Sequence, residues 1–219
     1  MSETSPAVWA VRLGLIAVGL VGWFWSQGLI ARRAFPEGRV SDGIHIWTEP
    51  LNRYLRTHAA AANGLLIVTS AIIDALGLFL IAWAIFGPSI RPFLGLAMVF
   101  VLRQLCQGLC ALPPPEGMIW REPGVRSLLV TYGTASDLFF SGHTAIAVYG
   151  CVELARFGGP GLAALGVAIA VIEATTVLVL RAHYTMDVFA AIVAALWVAG
   201  VAAAVAPAVD RALLSLVGG

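Results

Sequence analysis

The stretch Asp137-Leu138-Phe139-Phe140-Ser141-Gly142-His143-Thr144, read together with His183-Tyr184-Thr185-Met186-Asp187-Val188, decides how the chain is organised. Between the two lies an apolar passage long enough to leave a membrane surface and return to it. Two histidines and two carboxylates are therefore expected to meet on one side of a bilayer. The remaining sequence reads as the scaffold that brings them there.

Working outward, the chain has 219 residues, 60% of them hydrophobic and 11% charged, where a soluble domain carries about a quarter charged residues. Apolar runs of about the ~20 residues that cross hydrocarbon recur along it, continuous rather than alternating. The fold class is all-α, a polytopic membrane protein forming a single domain over residues 1–219. Six transmembrane helices are expected, at Ala7–Ile30, Gly64–Phe86, Pro92–Leu112, Ser141–Phe157, Leu162–Leu180 and Thr185–Ala206. Their stops are Arg32-Arg33, Gly87-Pro88, Pro113-Pro114-Pro115, Gly158-Gly159-Pro160-Gly161 and Pro207. Six spans put both termini on one side, and His143 and His183 on the other.

The polar stretch 31–63 suits a short interfacial helix between Pro50 and Asn63, with His45 and His58 read as hydrated. The net charge of +1 does not suggest nucleic acid as a partner. All thirteen basic residues are Arg, a coding bias that points to a bacterial inner membrane. The start of the chain lacks a basic n-region and a small-x-small site, so the first apolar run is expected to be retained. Cys106, Cys110 and Cys151 fall inside spans and read as small packing residues without a disulfide.

The chemistry rests on the two motifs. His183 and Asp187 are four apart, so a helical turn would put them on one face. A carboxylate there accepts the imidazole Nδ1–H and leaves Nε2 with the lone pair that a nucleophile or base requires. Ser141 is placed to cap the helix that follows, whose first N–H groups, from Gly142 onward, favour a phosphate. His143 lies in that first turn. Two imidazoles beside an anion-binding helix end suit phosphoryl transfer, one attacking phosphorus and the other donating a proton to the departing oxygen. Arg103 and Arg181 are the best phosphate clamps, ahead of Arg91, Arg121 and Arg126. No carboxylate cluster fit for Mg²⁺ accompanies the histidines, so neither metal nor cofactor is expected. Asp74, Glu153 and Glu173 lie at membrane depth, Glu173 expected in a pair with an Arg.

The paired motifs Asp-x-x-x-Ser-Gly-His-Thr and His-Tyr-Thr-x-Asp-Val resemble the sphingomyelin synthase branch of the type 2 phosphatidic acid phosphatase (PAP2) superfamily. Arg103 followed by Leu112-Pro113 is similar to an Arg ahead of a Leu-Pro loop there. The resemblance implies a PAP2-like helical bundle and metal-independent chemistry on a phospholipid. It implies that His183 becomes phosphorylated, that Asp187 orients it, and that His143 serves as acid and then base. It brings Asp137 into the phosphate-binding group with Ser141, Gly142, Arg103 and Arg181. The implied partners are a membrane phospholipid and an acceptor, a ceramide-like lipid alcohol or water.

The chain departs from that pattern at Ala135-Ser136, Ile192 and Val177, the last replacing an Arg of the hydrolytic phosphatases. The expected activity is thus release of diacylglycerol and transfer of the phospho-head-group. A lipid-phosphate phosphatase, or a proton-coupled transporter or flippase using Asp74, Glu153 and Glu173, are the alternatives. The resemblance puts the site on the outer face, while the arginine count, heavier on the catalytic side, puts it in the cytoplasm. Trp120, Tyr132 and Tyr184 are the candidates for recognising a head-group cation.

Overall fold

Prolines and glycines punctuate the apolar runs, and the computed structural model shows which of them end a helix. It describes residues 6–32, 40–132 and 138–217. Seven helices follow one another: α1 (Pro6–Ile30), α2 (Gly43–Trp47), α3 (Glu49–Thr57), α4 (Ala59–Phe86), α5 (Arg91–Leu109), α6 (Gly142–Val179) and α7 (Thr185–Val217). A short helix, α3, lies where the interfacial one was expected, but it ends at Thr57, and Ala59–Asn63 already belong to α4.

Gly87 ends α4 in an extended conformation, its N–H donating to the Trp83 carbonyl at 2.9 Å. Pro92 sits in the first turn of α5, where its missing N–H costs nothing. Pro207, expected to close the last span, lies inside α7 instead. Within a membrane bundle, neighbouring groups can satisfy the backbone that such a proline frees.

The expected helical membrane architecture is found, though not as six separate helices. Among the described residues five helices are long and apolar enough to cross a membrane, which fits an integral membrane protein. Expected spans 4 and 5 form one element, α6, interrupted at Gly158 (φ −141°, ψ 22°) and Gly159 (φ 74°, ψ −158°). Pro160 then opens the second limb. The limbs fold back on each other. A Cβ on Gly166 would fall 2.7 Å from Cys151 Cα, although these residues would stand about 22 Å apart in a straight helix.

The core runs down the middle of the bundle, where α7 packs on α5 and α6, and α4 on α6. Glycines admit the larger side chains: Tyr149 lies over Gly95, and Leu76 over Gly150. The end away from the histidines is held by charge. Arg12 of α1 donates to the Ala84, Ile85 and Gly87 carbonyls at the end of α4. Asp210 of α7 accepts from Ser89 Oγ and the Ile90 N–H where α5 begins. Arg91 and Arg156 both pair with the fully buried Glu153 carboxylate, so Arg91 is a structural ion pair rather than a phosphate clamp.

The Gly159 backbone occupies a region that only glycine enters without strain, at about 1–3 kcal/mol for another residue. Gly159→Ala should lower the unfolding midpoint of the detergent-solubilised protein accordingly. Gly161→Ala, whose added methyl meets nothing within 4 Å, should stay within about 0.5 kcal/mol of the parent. Equal midpoints for the two variants would show that the fold-back does not depend on Gly159.

Candidate active site

The fold-back of α6 returns the chain to the level at which that helix began, and a short turn, 180–184, then leads into α7. At the start of α6, Ser141 is the expected cap: its Oγ accepts the Thr144 N–H at 3.3 Å. Its own N–H donates to the Asp187 carbonyl at 3.2 Å, tying the starts of α6 and α7 together. Ser141 is wholly buried and is spent on this junction.

Arg103, Gly142, His143 and His183 line one narrow cleft of about 40 Å³, walled by Trp23, Phe100 and Trp120. That is room for about three waters. Arg103 donates from Nε to the Phe140 carbonyl at 2.9 Å, and a Cβ on Gly142 would stand 3.2 Å from that same Nε. Gly142 is thus what lets the guanidinium lie against the helix end. His143 is buried, its ring edge-on to Trp120 at 5.2 Å between centroids, and its Nε2 has no hydrogen-bond partner.

His183 Nδ1 donates to the Leu138 carbonyl at 2.8 Å. A carbonyl only accepts, so Nδ1 carries the proton and Nε2 the lone pair of the neutral ring. The expected orienting role of Asp187 is corrected in part. Its Oδ2 lies 3.6 Å from Nδ1 and accepts the Tyr184 N–H at 2.8 Å instead. His183 precedes the first residue of α7, so helical i, i+4 facing does not apply to the pair. Asp187 thus places a buried carboxyl group beside the imidazole.

Arg181 does not line the cleft. It adopts a left-handed backbone (φ 53°) at the end of α6. Its guanidinium donates to Glu49, to the His45 carbonyl at 3.1 Å and to the Glu116 carbonyl. It is a tie between elements, which corrects the expectation of a phosphate ligand. Arg121 bonds Asn63 at the surface and Arg126 is exposed. Asp137 lies outside the described residues.

The sequence reading missed the clamp that holds the His183 turn from outside. Asp42 caps α2 and accepts from the Thr185 N–H (2.6 Å) and Oγ1 (2.7 Å). His45 is buried rather than hydrated, with Nε2 3.0 Å from the His183 carbonyl and its ring stacked on Tyr184. Asn52 donates to the Val179 carbonyl at 2.9 Å and closes the end of α6. The polar composition of 42–52 is the only signal of this clamp in the sequence.

The other intramembrane acids are occupied by structure. Asp74 accepts from Ser127 Oγ and from the Leu128 and Leu129 N–H groups. Glu173 accepts from Thr69, not from the expected Arg. A transporter route through Asp74, Glu153 and Glu173 therefore has no geometric support. Of the cation candidates, Trp120 alone faces the cleft. Tyr132 packs against Trp120 and bonds Ser70, while Tyr184 donates to the Pro113 carbonyl.

A family model described as AtPDCT1/2 matches residues 42–204. That family is of phosphatidylcholine:diacylglycerol cholinephosphotransferases, membrane enzymes that transfer a phospholipid head group. The match overturns the expected assignment to the sphingomyelin synthase branch of the PAP2 superfamily. Motifs built from two histidines and a carboxylate report a shared chemistry more than a family. No curated protein and no solved structure matches the chain.

Two outcomes test this geometry. Gly142→Ala should displace the Arg103 guanidinium by a few tenths of an ångström and slow turnover about tenfold, a fraction of what a 1 Å misplacement can cost, with folding retained. Unchanged turnover would separate Arg103 from the reaction. For Asp42, burial alone would raise the carboxyl, but the hydrogen bonds from Thr185 and the nearby His45 hold it below its ordinary 3.8. Its contribution is then fully present above that value and is lost as pH falls through the lowered folded one. The unfolding midpoint of Asp42→Asn should lie below the parent's at pH 7, and the gap should narrow toward pH 3. A gap independent of pH would exclude the ionised carboxylate as its source.

Proposed function

Because the chain belongs to the AtPDCT1/2 family, we propose that it moves phosphocholine from phosphatidylcholine to diacylglycerol through a phosphohistidine at His183. The observation that carries this reading is the pairing, in one narrow cleft, of His183 with its proton fixed on Nδ1 and of His143 with an unpartnered buried Nε2.

The steps balance without an outside reagent. His183 Nε2 attacks phosphorus, the bond from phosphorus to the glycerol oxygen breaks, and protonated His143 gives that oxygen its proton. Diacylglycerol leaves. An incoming diacylglycerol hydroxyl then loses its proton to His143 and attacks phosphorus, and the bond from phosphorus to nitrogen breaks. The second half retraces the first, so one site suffices. Arg103 and the first N–H groups of α6 meet the charge on the phosphoryl oxygens. Asp187 stabilises the positive charge that His183 acquires. Trp120 offers its ring to the choline cation.

The two limbs of α6 are proposed to cross the membrane separately, which makes six passes and returns His183 to the side of His143. Exposed Arg32, Arg53, Arg56, Arg121 and Arg126 gather at that side, against Arg156 and Arg211 at the other. Since the outer-face expectation rested on the overturned resemblance, we place the site on the cytoplasmic side by the positive-inside rule.

The test incubates the purified protein with head-group-labelled phosphatidylcholine, diacylglycerol of distinguishable chain length, and EDTA. Label should appear in phosphatidylcholine bearing the acceptor's chains. His183→Ala and His143→Ala should each lose about three or more orders of magnitude, as members of such catalytic sets do. Arg103→Lys should be impaired despite its retained charge, because an ammonium does not reproduce the two-pronged guanidinium. Normal transfer by His183→Ala, or label released only as free phosphate, would overturn the proposal.

A further inference from the structure

The catalytic cleft is too small for a whole lipid, but it shares a wall with a larger space. Between α1 and α5 runs a groove of about 450 Å³. Trp23 and Phe100, stacked at 4.2 Å and 15°, line both the groove and the cleft. From Val18 to Leu29 the α1 wall is about 17 Å long at the helical rise, enough for much of one acyl chain. Glycines keep it open: a Cβ on Gly22 or Gly108 would meet nothing within 4 Å. Among the described residues, its walls carry no ionisable side chain.

The groove's polar groups lie at the depth of Arg103. Gln27 Oε1 accepts from Gln104 Nε2 at 2.8 Å and from Arg103 Nη1 at 3.5 Å, so one carboxamide bridges groove and cleft. One N–H of Gln104 is thereby used, while its Oε1 is buried and has no partner. An unpaired buried acceptor is costly and asks for a donor. Phosphatidylcholine has no O–H or N–H to give. A diglyceride has one, its free hydroxyl, which is also the group that must reach phosphorus. An uncharged groove further disfavours a zwitterionic head group and suits an uncharged lipid.

We infer that the α1–α5 groove is the acceptor site, holding an acyl chain of the diglyceride with its free hydroxyl on Gln104 Oε1 at the mouth of the cleft. This rests on the proposed transfer to diacylglycerol, and it assigns the acceptor a place apart from the donor phosphate. The route to the cleft then passes beside the Trp23–Phe100 pair.

The experiment reads occupancy separately from turnover. The full-length protein in vesicles is irradiated with a diglyceride carrying a diazirine in one chain. The diglyceride should label the peptides 18–29 and 93–108, and unlabelled diglyceride should compete. Gly22→Leu, which places a side chain in the open groove, should cut that labelling about tenfold, the scale on which an apolar pocket resolves a methylene. Gln104→Leu removes the acceptor atom at similar size and should raise the diglyceride KM about tenfold, with the phosphatidylcholine KM held within about twofold. Diglyceride labelling confined to other helices, or groove labelling that unlabelled diglyceride does not displace, would overturn the inference. So would a Gln104→Leu effect equal on both KM values. Labelling as expected from a protein that transfers no phosphocholine would instead keep the site and reject the proposed reaction.

Discussion

The fold-back at Gly158–Gly159 is the constraint on which the site depends. His143 and His183 are separated by a helix of 38 residues. Run straight, α6 would be about 57 Å long, nearly twice the hydrocarbon thickness. A backbone only glycine adopts easily, followed by a proline already suited to start a helix, bends it into two limbs. The turn 180–184 then meets the start of α6, and the bond from the Ser141 N–H to the Asp187 carbonyl records that meeting.

Charge placement divides the molecule in two. Hydrocarbon penalises unpaired polar groups, and at the end away from the histidines they are paired densely: Arg12 with helix-end carbonyls and Asp210, Glu153 with two arginines. Near the cleft the partners are chosen differently. Arg181, Asp42 and Asn52 use their hydrogen bonds to fix backbone, and so hold the His183 turn without touching the reaction space. His143 Nε2 is left without a partner inside that same shell. An imidazole nitrogen left free for a substrate, within a surround whose hydrogen bonds fix the backbone, is the arrangement that proton transfer to a bound substrate requires.

The helical membrane class was legible because continuous apolar runs have no other stable form in lipid. The Ser141 cap was legible because it is local chemistry. What stayed hidden is long-range or backbone in character. The partner of His183 Nδ1 is the Leu138 carbonyl, and no sequence pattern marks a carbonyl. The spacing of His183 and Asp187 suggested one helical face, yet His183 stands before the helix begins. Arg181 looked like a phosphate ligand because it neighbours His183. Its left-handed backbone and its attachment to Glu49, His45 and Glu116 belong to the tertiary structure. The span count fell to five long helices because glycines and a proline mark a turn without saying whether the elements on either side remain separate helices.

The family correction has a physical basis as well. Histidine, carboxylate and helix-end motifs specify how a phosphoryl group is handled, and the same handling serves many donors and acceptors. Acceptor choice must come from surfaces that the motifs do not include. The family match opens at Asp42, where the clamp on the His183 turn begins, and it closes within α7. The described residues of α1 lie outside it, yet α1 supplies Trp23 and Gln27, the side chains that join the uncharged groove to Arg103. In this chain the residues proposed to react sit within the matched stretch, while half of the groove proposed to select the acceptor lies beyond it. On the proposed reading, chemistry and acceptor recognition rest on different elements, meeting at the Trp23–Phe100 pair.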